Sequence, residues 1–187
     1  MFEPCRRIKD QMSKFDKPWF IAGGWAIDLF VGHETREHSD IEIGLFRQDQ
    51  FVLKNYLNHC DFQKVVKGKL MPWNAEYVEL PIHEIHGKRR DGDSAMEILL
   101  NERVEDIWLF RRETSITYPI QDLIRISSSG IPFLAPEIVL LYKTKNPREK
   151  DLLDFQQVVP LLDREKKVWL KEAITKWDLN HEWISVL

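Results

Sequence analysis

The chain has 187 residues, a formal net charge of −3 and a pI near 6.1; 43% of it is hydrophobic and 30% charged. That length fits one domain, or one compact domain with a small helical appendage, and the composition excludes a disordered or fibrous chain. The mild acidity argues against a nucleic-acid partner, since such binders are ordinarily basic.

No apolar run approaches the ~20 residues of a membrane helix, and MFEPCRRIKDQ at the N-terminus has charges with no apolar core behind them, so it does not read as a signal peptide. Cys5 and Cys60 lack metal-ligand spacing and read as reduced, buried cysteines of a cytoplasmic protein. Residues 4–15 have weak helical periodicity, which Lys17-Pro18 interrupts. Residues 19–22 (WFIA) predict a short buried strand ended by Gly23-Gly24, and residues 25–31 (WAIDLFV) predict a helix stopping at Gly32. Residues 40–46 alternate, with Asp40, Glu42, Gly44 and Phe46 on one side and Ile41, Ile43 and Leu45 on the other, which is strand periodicity.

Residues 49–58 predict an amphipathic helix capped by Asp49. Residues 62–67, 70–73 and 77–79 predict short strands, and the basic run 86–90 (HGKRR) an exposed loop. After a turn at Asp91-Gly92-Asp93, residues 95–101 predict a strand with Met96, Ile98 and Leu100 on one face and Glu97 and Asn101 on the other. Residues 107–112 and 114–119 predict strands or a hairpin. From Ala135 the pattern turns helical, with Pro136 at one helix start and Asp163 as a cap. The expected fold is α+β: a small mixed β-sheet flanked by helices in residues 1–132, with a helical C-terminal portion, 133–187, packed on that core or continuous with it.

Two features carry chemistry. Gly23-Gly24, between a strand and a helix, lets the backbone approach a ligand closely and aims a helix N-terminus at an anion. Alone, such a pair is most often an ordinary tight turn. Asp40 and Glu42, two apart on a strand, project to one face, where two carboxylates repel unless they share a cation. Hard oxygen ligands suit Mg²⁺, which keeps few protein carboxylates and completes its shell with water and substrate phosphate. Alone, an acid-x-acid strand is most often a solvated face; the two features together point to a nucleotide. A third carboxylate would come from Glu97, as metal ligand or general base. Asp91 and Asp93 compete for that role, and Glu79 does so more distantly.

The run Gly23-Gly24-Trp25-Ala26-Ile27-Asp28, then Gly32, Thr35-Arg36, His38 and Asp40-Ile41-Glu42, resembles the signature of the aminoglycoside and lincosamide nucleotidyltransferases, a branch of the polymerase-β-like nucleotidyltransferase superfamily. The stretches 96–102 (MEILLNE), 108–112 (WLFRR) and 133–145 (FLAPEIVLLYKTK) also resemble later parts of such proteins. The resemblance implies Mg²⁺-dependent transfer of a nucleoside monophosphate from ATP or another nucleoside triphosphate to a hydroxyl of a small molecule. Gly23 and Gly24 would hold the triphosphate, Asp40 and Glu42 the metal, and Glu97 would be the third acid; an aminoglycoside or lincosamide would be the acceptor. It also admits a homodimer with the acceptor cleft between subunits.

Lys143 is the expected phosphate-binding lysine of the helical part, and Arg36 and His38 are candidate phosphate contacts. Asp28 reads as an acceptor for the T-R-x-H loop, Glu137 as a partner of its helix dipole, and Trp25, Trp73, Trp108 and Trp183 as core. Two positions depart from the pattern: Glu42 stands where Asp is usual, and His33 where Arg is usual. They motivate a second reading, a nucleotide-binding or regulatory module without turnover. A third is a nucleotidyltransferase with a protein or RNA acceptor.

Overall fold

The computed structural model describes residues 1–92 and 95–187. In chain order, α1 (Glu3–Gln11) leads to β1 (Trp19–Ile21), α2 (Gly23–Val31), β2 (Glu42–Phe46), α3 (Gln50–Tyr56), β3 (Cys60–Val66) and β4 (Lys69–Pro72). There follow β5 (Glu84–Arg89), β6 (Ala95–Val104), β7 (Ile107–Leu109), β8 (Thr117–Pro119), α4 (Ile120–Leu123), β9 (Ile124–Ile126) and β10 (Pro132–Leu134). The helices α5 (Pro136–Lys143), α6 (Glu149–Val158) and α7 (Arg164–Trp177) complete the chain. The strands form a mixed sheet in the order β4-β3-β5-β6-β2-β1-β10-β9, with a β7–β8 hairpin extending from β6. The α+β expectation is borne out. No helix among the described residues is long and apolar enough to cross a membrane.

The core forms where the apolar faces of β1, β2 and β6 meet α2 and α5. Phe20, Ile43, Leu45, Ile98, Ile27 and Leu140 are all buried. α5 packs on α2 and α7, and α6 packs on α2, so α5 and α6 lie directly over the Gly-Gly helix. Cys5 and Cys60 are buried and free. The four tryptophans read as core are buried, although the Trp25 indole also donates to the Asp40 carbonyl at 3.0 Å.

Several local expectations are corrected. The strand expected from residue 40 begins at Glu42, because Asp40 and Ile41 precede the paired register. Asp49 ends a 3-10 turn (Arg47–Asp49) and makes no side-chain cap. Residues 77–79 are not a strand. Gln50 brackets Val78 with hydrogen bonds in both directions, and the Arg47 guanidinium donates to the carbonyls of Val78 and Ile82 at 2.8 Å, so side chains rather than a ladder satisfy this backbone.

All but Arg90 of the run expected as an exposed loop lies in β5, an interior strand between β3 and β6. Ile85 and Gly87 face inward, while Glu84, His86 and Lys88 make its other side read as polar. Glu137 does more than favour a helix dipole. It is fully buried, accepts from the Tyr118 hydroxyl and from Arg125 Nη2 at 3.0 Å, and so ties the start of α5 to β8 and β9. Asp163 caps α7 as expected, accepting from the Lys166 amide at 2.8 Å.

Candidate active site

β2 and β6 run parallel with Glu42 in register with Glu97, so these two carboxyls leave the sheet side by side. Asp40 is exposed two residues ahead of Glu42, its carboxylate accepting from the Ser39 hydroxyl at 2.8 Å. Burial, followed by the charges of Glu97 and Asp40, pushes the Glu42 carboxyl up to about 7. Burial, then Asp40 and Glu84, raises the Glu97 carboxyl as well. Two raised carboxyls beside the charge of Asp40 are a donor set that a hard divalent cation would relieve, so these residues fit Mg²⁺ chemically. They do not form the tightest cluster, however. Among the described residues, the trio whose ligand atoms all lie within 4.8 Å is Glu84, His86 and Glu97. His86 Nε2 lies 2.7 Å from Glu84 and 3.9 Å from Glu97.

The Gly-Gly turn is explained by what crowds it. Gly23, with φ +58°, opens α2, and a Cβ placed there would lie 1.4 Å from Glu42 Oε2. A Cβ on Gly24 would lie 2.3 Å from Arg36 Nη2 and 2.6 Å from the His38 ring. The glycines thus let the acid of β2 and the T-R-x-H loop close onto the helix start.

Arg36 and His38 are held by other side chains. His38 is bracketed by Asp28 Oδ2 at 2.7 Å and Arg36 Nη1 at 2.9 Å, and packs at a tilt on Trp25 with centroids 4.3 Å apart. Asp28, fully buried, also accepts from the Thr35 amide at 3.1 Å and from its hydroxyl, the structural role expected of it. Arg36 pairs with Asp154 at 3.2 Å, and Lys143 with Asp151 at 2.7 Å and Asp154 at 2.9 Å. Two buried acids of α6 therefore hold both cations at the cleft.

Asp151 also accepts from the backbone and guanidinium of Arg148, each at 3.0 Å. Burial by itself would lift its carboxyl; Lys143 and Arg148 outweigh that and hold it at about 2, below its ordinary 3.8. A depressed carboxyl stabilises the fold fully above about pH 4 and loses that contribution as pH falls through about 2. Chemical denaturation between pH 4 and 2 should therefore show about 2 kcal/mol of lost stability from this group, which Asp151→Asn flattens.

The cleft has two lobes that share Glu42, Lys143 and Arg148. One holds Gly24, Arg36, His38, Asp40, Glu97 and Lys150. The other, about 460 Å³, runs from Gly23 to Arg111, Arg112, Tyr142 and Lys145. All the sequence-predicted site residues line one lobe or the other. Of the competing acids, Glu79 is exposed in the loop after β4, Asp91 pairs with Arg89 at 2.6 Å, and Asp93 lies outside the described residues. His33 is exposed and lines neither lobe.

Sequence reasoning passed over Glu84, His86, Asp151 and Asp154, which carry no motif of their own. It also gave no role to Arg111 and Arg112, although the doublet itself was a signal.

The family described as aminoglycoside-2''-adenylyltransferase matches residues 5–158. No curated protein matches. Among solved structures, ANT(2'')-Ia in complex with adenylyl-2''-tobramycin superposes with a TM-score of 0.63 at 16% identity, covering 92% of this chain and 95% of that one. The lincomycin-bound lincosamide antibiotic adenylyltransferase LnuA gives a TM-score of 0.56 at 19% identity, covering 83% of this chain and 94% of that one. At these identities the two structures establish likeness of fold.

Proposed function

Because the chain belongs to the aminoglycoside-2''-adenylyltransferase family of nucleotidyltransferases, we propose that it moves a nucleoside monophosphate from ATP or another nucleoside triphosphate to a hydroxyl of a small molecule. Aminoglycosides and lincosamides are the first acceptors to try, since ANT(2'')-Ia is seen with adenylyl-2''-tobramycin and LnuA with lincomycin. One observation carries the reading. The start of α2 lies so near Glu42 that only glycine fits at position 23, while Glu97 stands in register beside Glu42. A helix N-terminus suited to phosphate and a set of acids suited to a cation thus meet at one place.

In this reading Asp40, Glu42 and Glu97 hold Mg²⁺, which when bound offsets the charge of the triphosphate and of the departing pyrophosphate. Gly23 and Gly24 let Glu42 and Arg36 close onto the start of α2, and the phosphates bind at that helix start beside them. Arg36, Lys143 and Arg148 face them, and His38 fixes Arg36. Glu97 lies beside the acceptor hydroxyl and receives its proton as the new oxygen–phosphorus bond forms. The bond from the α-phosphorus to the bridging oxygen breaks, and pyrophosphate leaves. The C-terminal helices serve as the nucleotide-facing wall, on a core ending near residue 132.

A thermal-denaturation series tests donor binding. ATP with Mg²⁺ at about a hundred times its dissociation constant should raise stability by about 2.7 kcal/mol, and ATP without metal by clearly less. Pyrophosphate release with a panel of aminoglycosides and lincosamides then tests transfer. Metal-dependent binding with no release from any acceptor would favour the binding module over the enzyme.

A further inference from the structure

β5 brings a second set of donors to the acid face of the sheet, and one of them is an imidazole. His86 is the register partner of Glu97 across β5 and β6, and Glu84 lies two residues before it on the same side of β5. His86 Nε2 is 2.7 Å from Glu84 Oε1 and 3.9 Å from Glu97 Oε1, so one ring nitrogen faces two carboxylates. A neutral or charged ring has a single proton at that nitrogen to give. Glu84 is near enough to take it. Among the described residues, no donor lies within hydrogen-bond distance of the Glu97 carboxylate. An ion pair therefore accounts for Glu84 and leaves Glu97 facing the ring without a bond. A cation held by the lone pair of Nε2 would serve all three groups.

The spacing suits such an ion. Two ligands each about 2.1 Å from a tetrahedral metal lie roughly 3.4 Å apart, a separation that the 2.7 and 3.9 Å here bracket. Both strands are interior, and the three side chains are half-buried, so the donors are held in place yet open to solvent. The imidazole decides which ion. Carboxylate and water suit Mg²⁺, whereas imidazole suits Zn²⁺ and its transition-metal neighbours. We infer that Glu84, His86 and Glu97 form a transition-metal site that takes Zn²⁺, beside the acids Asp40 and Glu42 that the transfer reading assigns to Mg²⁺. Glu97 is common to both, with one oxygen available to each ion. Three protein ligands leave a fourth position open to water. His86 lines neither lobe of the cleft, and the site needs neither nucleotide nor acceptor, so it stands apart from the donor site.

Calorimetric titration of the metal-free protein without nucleotide tests it, with Zn²⁺ and Mg²⁺ as ligands and Co²⁺ as a spectroscopic probe. One Zn²⁺ per chain should bind at least about tenfold more tightly than Mg²⁺. His86→Gln should lower Zn²⁺ affinity at least about tenfold, the scale on which even a supporting group acts at a metal site. It should also weaken the visible absorption of the Co²⁺-loaded protein and leave Mg²⁺ affinity unchanged. Asp40→Asn should do the converse, lowering Mg²⁺ affinity and keeping that for Zn²⁺. His83→Gln, outside the cluster and bonded to the Pro81 carbonyl, should change neither. The His86 ring pairs with Glu84 alone at hydrogen-bond distance, so the metal-free variant should unfold at the parent's temperature. Glu84→Gln repeats the test by removing a carboxylate instead of the ring. Absence of stoichiometric Zn²⁺ binding, or Zn²⁺ affinity unchanged in both His86→Gln and Glu84→Gln, would overturn the site. So would a loss in Asp40→Asn equal to that in His86→Gln, which would place Zn²⁺ on the Mg²⁺ acids, or a loss in His83→Gln, which would place it elsewhere. A protein that binds Zn²⁺ through His86 but not ATP–Mg²⁺ would keep this site and overturn the transfer reading.

Discussion

Asp40→Asn is expected to lower nucleotidyl transfer by at least about a hundredfold, the upper end of what removing even a supporting group costs at a metal site, with no change in the unfolding temperature. The two readouts separate because of how Asp40 is built in. Its carbonyl, not its carboxylate, receives the Trp25 indole at 3.0 Å, and Asn keeps that carbonyl. Its carboxylate is exposed and accepts only from the neighbouring Ser39 hydroxyl, so the fold loses little when it becomes an amide. The acid cluster changes more, because Asp40 is one of the charges that raise both Glu42 and Glu97. Pyrophosphate release and thermal unfolding on the same preparation check both halves. Full activity in the variant would remove Asp40 from the metal site.

The elements that build this site were unequally legible in the sequence. The β1–Gly-Gly–α2 unit and β6 could be read because their apolar residues sit at a clean period, and their polar residues interrupt it only at the cleft. β5 could not be read. It is an interior strand whose outward side, Glu84, His86 and Lys88, stands beside Leu99, Glu97 and Ala95 of β6, so its composition suggested a loop. Glu84 and His86 are polar beside the Glu97 carboxyl, whereas Lys88 is exposed to solvent. In α6, likewise, Asp151 and Asp154 look like solvated acids in sequence but are buried against Lys143 and Arg36. Short β9 and β10 carry too few residues for any period, and only pairing with β1 and with each other defines them. Local pattern thus located the motif, whereas the groups that set its charge came from elements distant in sequence.

Gly23→Ala is the second large effect expected, about a hundredfold in transfer, the scale on which a misplacement of about 1 Å acts. A Cβ at position 23 would lie 1.4 Å from Glu42 Oε2, so the carboxylate must swing away from its place beside Glu97. Stability falls for a separate reason. The residue has φ +58°, and an L-side chain there costs about 1–2 kcal/mol whatever the neighbours do. The two contributions separate in a cycle with Glu42→Asp, which draws the carboxylate back by about one bond length, ~1.5 Å. The backbone cost is common to both backgrounds and cancels, leaving the clash. Gly23→Ala should therefore destabilise the Glu42→Asp protein less than the parent, with a coupling of about 0.5–3 kcal/mol measured by urea unfolding. Additive changes would mean that Glu42 does not rest against Gly23. A positive coupling would give the longer acid at position 42 a physical reason: it fills the space that the glycine leaves, and the pair acts as one unit.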